Sequence, residues 1–166
     1  MFARIIGYGS AALLACGLML SSAAPTQAQG MMGAAAESGV VTVKSAYSMS
    51  DTIARLKKDI ADKGIMFFME VDQAKLASGA NIKLRPSTLL IFGNPPLGIQ
   101  FLTSNPVSGL DWPVRLLVFE DDKGVVWTAY TDFAWIARRH GIKDRDEQFK
   151  MASTVIASIT SSVAAK

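Results

Sequence analysis

The stretch Leu84-Arg85-Pro86-Ser87-Thr88-Leu89-Leu90-Ile91-Phe92-Gly93-Asn94-Pro95-Pro96-Leu97-Gly98 constrains this chain more than any other. Leu89 to Phe92 is an unbroken apolar run that stops at Gly-Asn-Pro-Pro. A short apolar run between proline and glycine reads as a buried strand. Pro86 shapes the entry, and Gly93-Asn94 permits a tight exit that most residues cannot adopt. The expectation is a central strand ending in a rigid, polar turn. Such a turn serves as the floor of a binding site or as an ordinary strand end.

The N-terminus sets the compartment. Arg4 precedes an apolar run, Ile5 to Leu20, and small residues follow it up to Thr26-Gln27-Ala28. That is the anatomy of a secretory signal, with cleavage expected after Ala28. The apolar run is shorter than the roughly 20 residues a spanning helix needs. Leu13-Leu14-Ala15-Cys16 resembles a lipoprotein processing site, but Gly17 to Leu20 stays apolar after the cysteine. The protein is therefore expected to be exported, periplasmic or extracellular, with a membrane tether through lipidated Cys16 as the alternative.

Cleavage leaves residues 29–166, long enough for one core. They contain no cysteine, which excludes disulfides, a cysteine nucleophile, a thiolate metal site and an iron–sulfur cluster. Of 17 basic residues only Arg4 is lost, leaving a surplus of two over the 14 acidic ones. No basic run interleaves with aromatics, so nucleic acid is not an expected partner. Residues 29–39, rich in Gly, Ala and Met, read as a flexible spacer, and residues 40–166 as a single domain.

Within that domain Val40 to Tyr47 alternates like a strand. Ser48 and Asp51 resemble a capping box before a helix carrying Ile53, Leu56 and Ile60 on one face and ending at Gly64. Ile65 to Val71 is a second strand, and its dense Met66-Phe67-Phe68-Met69 centre reads as core. Asp72 to Ala80 is a short helix or turn. Pro95 to Leu110 reads as irregular, a connection long enough to be functional, partly helical or a partner contact. Trp112 to Phe119 and Val125 to Tyr130 form a hairpin around Asp121-Asp122-Lys123-Gly124. Asp132 caps a short helix that Gly141 stops. Asp144 is expected to open a last helix with Phe149, Ala152, Val155 or Ile156, Ile159 and Val163 as its apolar stripe. Strands and helices do not alternate strictly, which favours α+β over a doubly wound parallel sheet.

The Leu-Arg-Pro and Ile-Phe-Gly-Asn-Pro pieces, with Asp111-Trp112-Pro113, Phe119-Glu120-Asp121 and Arg139-His140-Gly141, resemble the bacterial and archaeal family called domain of unknown function 302. The likeness runs from about Ser45 to about Ile142. It implies a TATA-box-binding-protein-like α+β fold of β-α-β-β-β-β-α type: a mostly antiparallel sheet with helices on one face. It also implies a homodimer, and no reaction. Two departures stand out. The family usually carries Asp-His where this chain has Asp72-Gln73, and often Gly-Thr-Pro-Leu-Met where it has Gly98-Ile99-Gln100-Phe101-Leu102.

His140 is the one histidine. It reads as a general base or metal ligand, or as a cation at a helix C-terminus beside Arg138 and Arg139. Glu120, Asp121 and Asp122 read as an exposed acidic turn, because neighbours on a strand point to opposite faces. Asp111 caps a turn or receives Arg85. Tyr130, Trp127 and Trp135 form an aromatic group able to line a pocket or fill a core. No nucleophile elbow, phosphate loop, zinc motif or dinucleotide fingerprint appears. The residues alone thus point to an exported, non-enzymatic binding module, with no metal site and no cofactor specified. Its site is expected between the Gly93-Asn94-Pro95 turn and the Pro95–Leu110 loop, with Arg85 and Asn94 as polar contacts, Tyr130 or His140 as the second wall and Asp111 beside them. The alternatives are an acid/base enzyme, hydrolase-like or other, centred on His140 with Asp111, Glu120 or Asp132 as its orienter, and a purely structural homodimer.

Overall fold

The computed structural model describes residues 38–166. The signal segment, its cleavage site, Cys16 and most of the 29–39 spacer lie outside the described residues. The elements run β1 (Val40–Lys44), α1 (Met49–Asp62), β2 (Met66–Asp72), α2 (Gln73–Gly79), β3 (Ser87–Gly93), α3 (Pro95–Ser104), a 3₁₀ turn (Pro106–Leu110), β4 (Val114–Glu120), β5 (Val126–Thr131), α4 (Phe133–Arg139) and α5 (Asp146–Ser161). The strands form one sheet in the order β1-β5-β4-β3-β2. Every neighbouring pair is antiparallel. The chain is thus a single α+β domain, as its pattern of elements predicts.

Local chemistry explains where the helices start. The Ser48 hydroxyl accepts the Asp51 N–H (3.2 Å) and donates to the Asp51 carboxylate (2.8 Å), which satisfies a free amide at the start of α1. Leu56 and Ile60 of that helix are wholly buried. Helix α1 carries the chain from one sheet edge to the other, since β1 and β2 are the two outermost strands. Helix α5 lays Phe149, Ala152, Ile156 and Ile159 into the core, and Val163 follows just beyond its end. Asp144 does not open it. The helix begins at Asp146 behind Arg145, and the Asp144 carboxylate is taken by the Ser104 hydroxyl (2.5 Å) and Arg145 (2.8 Å).

The register divides the sheet into two faces. Thr88, Leu90 and Phe92 of β3 stand beside Val118, Leu116 and Val114 of β4 and point under the helices. Leu89 and Ile91 stand beside Leu117 and Arg115 on the other side. Helices α1 and α5 bury their residues on the first face. Helix α2 touches β3 but buries none of its own residues. Among the described residues α2 reaches only the margin of the second face, where the Ser87 hydroxyl donates to the Gln73 side-chain oxygen at 2.7 Å, and no helix buries residues against it.

Two expectations change here. Met66-Phe67-Phe68-Met69 is not core. Strand β2 pairs only with β3, so it is an edge, and a bulge between Phe67 and Met69 shifts its side chains. Phe67 alone turns inward, while Met66, Phe68 and Met69 are 52%, 42% and 52% exposed. The Pro95–Leu110 segment is more regular than expected, and of its alternatives the partly helical one holds. Pro95 at the first turn of α3 lacks only an N–H that has no helical partner there, so the segment folds as a helix and a 3₁₀ turn.

Candidate functional site

The 3₁₀ turn ends at Asp111, whose carboxylate is 3% exposed. A buried carboxylate is costly unless donors surround it. Three side chains from two other elements supply them. Arg115, second residue of β4, donates through Nη2 to Oδ1 at 2.9 Å. Arg139, last residue of α4, donates through Nη1 to Oδ1 and Oδ2 at 3.2 and 3.0 Å. His140, the C-cap of α4, has Nε2 2.6 Å from Oδ2 and a ring 5% exposed. An ionised carboxylate only accepts, so the His140 proton belongs on Nε2. The Asn105 amide, next to α3, donates to the His140 carbonyl (2.9 Å), and Arg115 also reaches the Leu110 carbonyl (2.7 Å). The corner thus ties α3, the 3₁₀ turn, β4 and α4 together.

Of the five expected site residues, the fold brings together Asp111 and His140. Arg85 does not pair with Asp111. It lies before β3, at the end of that strand opposite Asn94, and its guanidinium reaches the Asp121 carbonyl (3.3 Å). Asn94 is the exposed N-cap of α3, with no capping bond from its side chain. Tyr130 lies on β5, half-buried against the core. The aromatic group divides as well. Trp127 and Tyr130 are three apart on one strand and face opposite sides, while Trp135 packs against Gly39.

A cleft does open at the exit of β3, walled by Asn94, Leu97, Phe101, Trp112, Val155 and Ile156 among others. Neither Arg85, Tyr130, Asp111 nor His140 lines it. Its interior is about 40 Å³, far below the roughly 300–1,000 Å³ of small-molecule pockets. It accepts one side-chain tip rather than a substrate. Trp112 forms one wall, with its indole nitrogen 3.2 Å from where a Cβ on Gly93 would lie and overlapping any Cβ on Gly98. Phe68 meets the same indole edge-on, with centroids 6.2 Å apart. Asp111 anchors the corner, and the next residue walls the cleft.

Three groups carry shifted protonation. The Val125 N–H, then the Trp127 indole N–H, hold the Asp121 carboxyl below its ordinary value, at 2.9 Å each. The expected acidic turn is thus the organiser of its own hairpin loop. Asp144 is lowered by the Ser104 hydroxyl and, less, by Arg145. Burial, then the Asp132 carboxylate, push the Tyr130 phenol up. Glu120, Asp121 and Asp122 do not converge, and among the described residues no group of three His, Cys, Asp or Glu is placed to hold a metal. The sequence reading missed Arg115 and Arg139 as partners of Asp111. Arg115, a lone charge inside an apolar strand four residues after Asp111, was the available signal.

Comparison with known proteins bears on the family and the fold. The sequence model of the family Domain of unknown function DUF302 matches residues 41–159, which is most of the chain. The chain belongs to the DUF302 family. A crystal structure of an uncharacterized conserved DUF302 protein from Bacillus stearothermophilus has the same fold. Its TM-score is 0.69 at 17% identity, covering 75% of this chain and 98% of that one. Two relatives named Fluoride-specific ion channel FluC 1, from Brucella suis biovar 1 and Brucella abortus biovar 1, are 39% identical over 111 residues. Those residues are 67% of this DUF302 chain but 44% and 41% of the two relatives, so it spans less than half their length.

Proposed function

We propose that this DUF302 protein is an exported, non-enzymatic interaction module that works as a homodimer through the uncovered face of its sheet. The observation that carries this is the chemistry of that face. Met69, Val71, Leu89, Ile91, Leu117, Phe119 and Trp127 share it in adjacent register positions, and all retain exposure. A contiguous apolar patch of this kind marks an interaction surface. Five strands about 4.8 Å apart and about six residues long give roughly 500 Å² before side-chain relief is counted. A standard interface uses about 800 Å² of accessible surface per partner, so one face meeting its own copy is of the right order. Leu84, exposed beside Leu117 and Phe119, extends the patch. The test is native mass spectrometry and light scattering on protein recovered from its exported fraction. Dimer mass is expected, with Leu117→Glu monomeric and unchanged in circular dichroism. A monomeric wild type at micromolar concentration ends this reading.

One observation favours a second reading. The 2.6 Å contact of His140 with Asp111 has the geometry of a histidine oriented by a carboxylate. Against it, the ring is buried and does not line the cleft at the exit of β3. An esterase or other hydrolytic activity abolished by His140→Gln, with the dimer intact, would establish the enzyme.

The Brucella relatives suggest where such a module works. No helix of the described residues is long and apolar enough to cross a membrane. In a longer chain named as a channel, the membrane-crossing part would then belong to the remainder. We accordingly propose that the exported module acts beside a membrane partner.

A further inference from the structure

The charges around Asp111 do not balance. One buried carboxylate meets two guanidiniums that are 48% and 45% exposed, as well as the His140 ring. Among the described residues no other carboxylate lies within ion-pair distance of Arg115 or Arg139. Each arginine is held by a single terminal nitrogen. Arg115 uses Nη2 for Asp111 and Leu110, and Arg139 uses Nη1 for both carboxylate oxygens. The other terminal nitrogen and the Nε of each have no acceptor among the described residues, although a guanidinium presents five N–H donors.

The two held nitrogens share one oxygen, Asp111 Oδ1, at 2.9 and 3.2 Å. The forks are therefore fixed side by side by a buried group instead of wandering on long stems. The Trp135 ring, 5.3 Å from the Arg139 guanidinium carbon, supports that side chain further. Pre-positioned donors lose less conformational entropy when a ligand arrives.

We propose that the free edges of Arg115 and Arg139 form a binding site for a compact tetrahedral oxyanion of the phosphate class. The forks come from different elements, β4 and α4, so their donors approach from two directions. A planar carboxylate satisfies one fork, whereas a tetrahedral anion offers acceptors to both. Inorganic phosphate and the phosphate ester of a lipid headgroup share this chemistry. The site does not depend on dimerisation, although Arg115 lies near the end of the uncovered face.

The test is calorimetric titration of the full protein at low salt, first with inorganic phosphate and then with phosphatidylglycerol vesicles. Wild type and the Leu117→Glu variant are both titrated, so that masking of Arg115 by a second copy is read separately. Saturable phosphate binding is expected, weakened about tenfold or more by Arg115→Gln or Arg139→Gln. Arg138→Gln, which removes a neighbouring exposed arginine, should leave it unchanged. Arg139→Lys keeps the charge and the fold while losing the fork, and should bind at an intermediate level. Vesicle binding with the same arginine dependence assigns a headgroup, and binding of free phosphate alone assigns the inorganic ion. No saturable binding to wild type or Leu117→Glu overturns the proposal. So does equal weakening by Arg138→Gln, or binding indifferent to both glutamine variants.

Discussion

Leu89 and Leu90 are neighbours on β3 and live in different surroundings. Leu90 is wholly buried beneath the helices, beside Leu116. Leu89 stands beside Leu117 on the face that no described element covers. The same contrast repeats one step along, with Phe92 buried and Ile91 only partly so. An antiparallel sheet with one solvated face normally alternates apolar and polar residues. β3 does not alternate, although only one of its sides is filled by its own chain. A strand written for burial on both sides, but buried on one, is the pattern on which the proposed dimer rests.

The sharpest way to break this comparison is to truncate both leucines. Leu90→Ala should cost about 2–5 kcal/mol in urea or thermal unfolding, because it opens a cavity in packed core. Leu89→Ala should cost less than about 1.5 kcal/mol at high dilution, and by weakening association it should flatten the dependence of the midpoint on protein concentration that the wild-type dimer shows. Equal losses at high dilution would mean that the two faces do not differ. A smaller effect is expected from Gly98→Ala, about 1–3 kcal/mol from overpacking, since the new methyl must displace Trp112. Adding Trp112→Leu should recover part of that loss, and no recovery would show that Trp112 is not the obstacle.

The smallest effect should come from the hairpin tip, away from both faces. The Asp121 carboxyl titrates below its ordinary value of 3.8, so the folded chain binds its proton less readily than the unfolded one. Its contribution is complete above about that value and disappears as pH falls through the lowered one. Melting curves of wild type and Asp121→Asn should therefore differ at neutral pH and converge at the acid end. Curves that stay parallel down to the acid end would remove Asp121 from the account.

Much of the fold was legible because its signals are local. Ser48 and Asp132 cap helices where their spacing predicts, and the hairpin turns at Asp121 to Gly124, with Gly124 at φ +75°. The stripe from Phe149 to Ile159 faces the core as its period requires. The failures share a different cause. Met66-Phe67-Phe68-Met69 looks like core because composition reports apolarity but not strand order, and only the order makes β2 an edge. Asp111 was among the expected orienters of His140, 29 residues away, but Arg115 and Arg139 were missed as its partners because no spacing rule joins a 3₁₀ turn to a strand and a helix C-terminus. Arg85 and Asn94 appeared close because they flank one strand, yet a strand separates its ends by its full length.

The placement of β1 bears on how the molecule assembles. From β2 to β5 each strand pairs with the next one made, so that four-stranded meander can form from contacts between successive elements. β1 is the exception, pairing Val40 with Thr131 about ninety residues later, a closure whose entropic cost slows folding. The first strand to be synthesised must therefore wait for the last one. A chain interrupted before β5 would leave Val40 to Lys44 unpaired, a β-forming segment open to wrong partners.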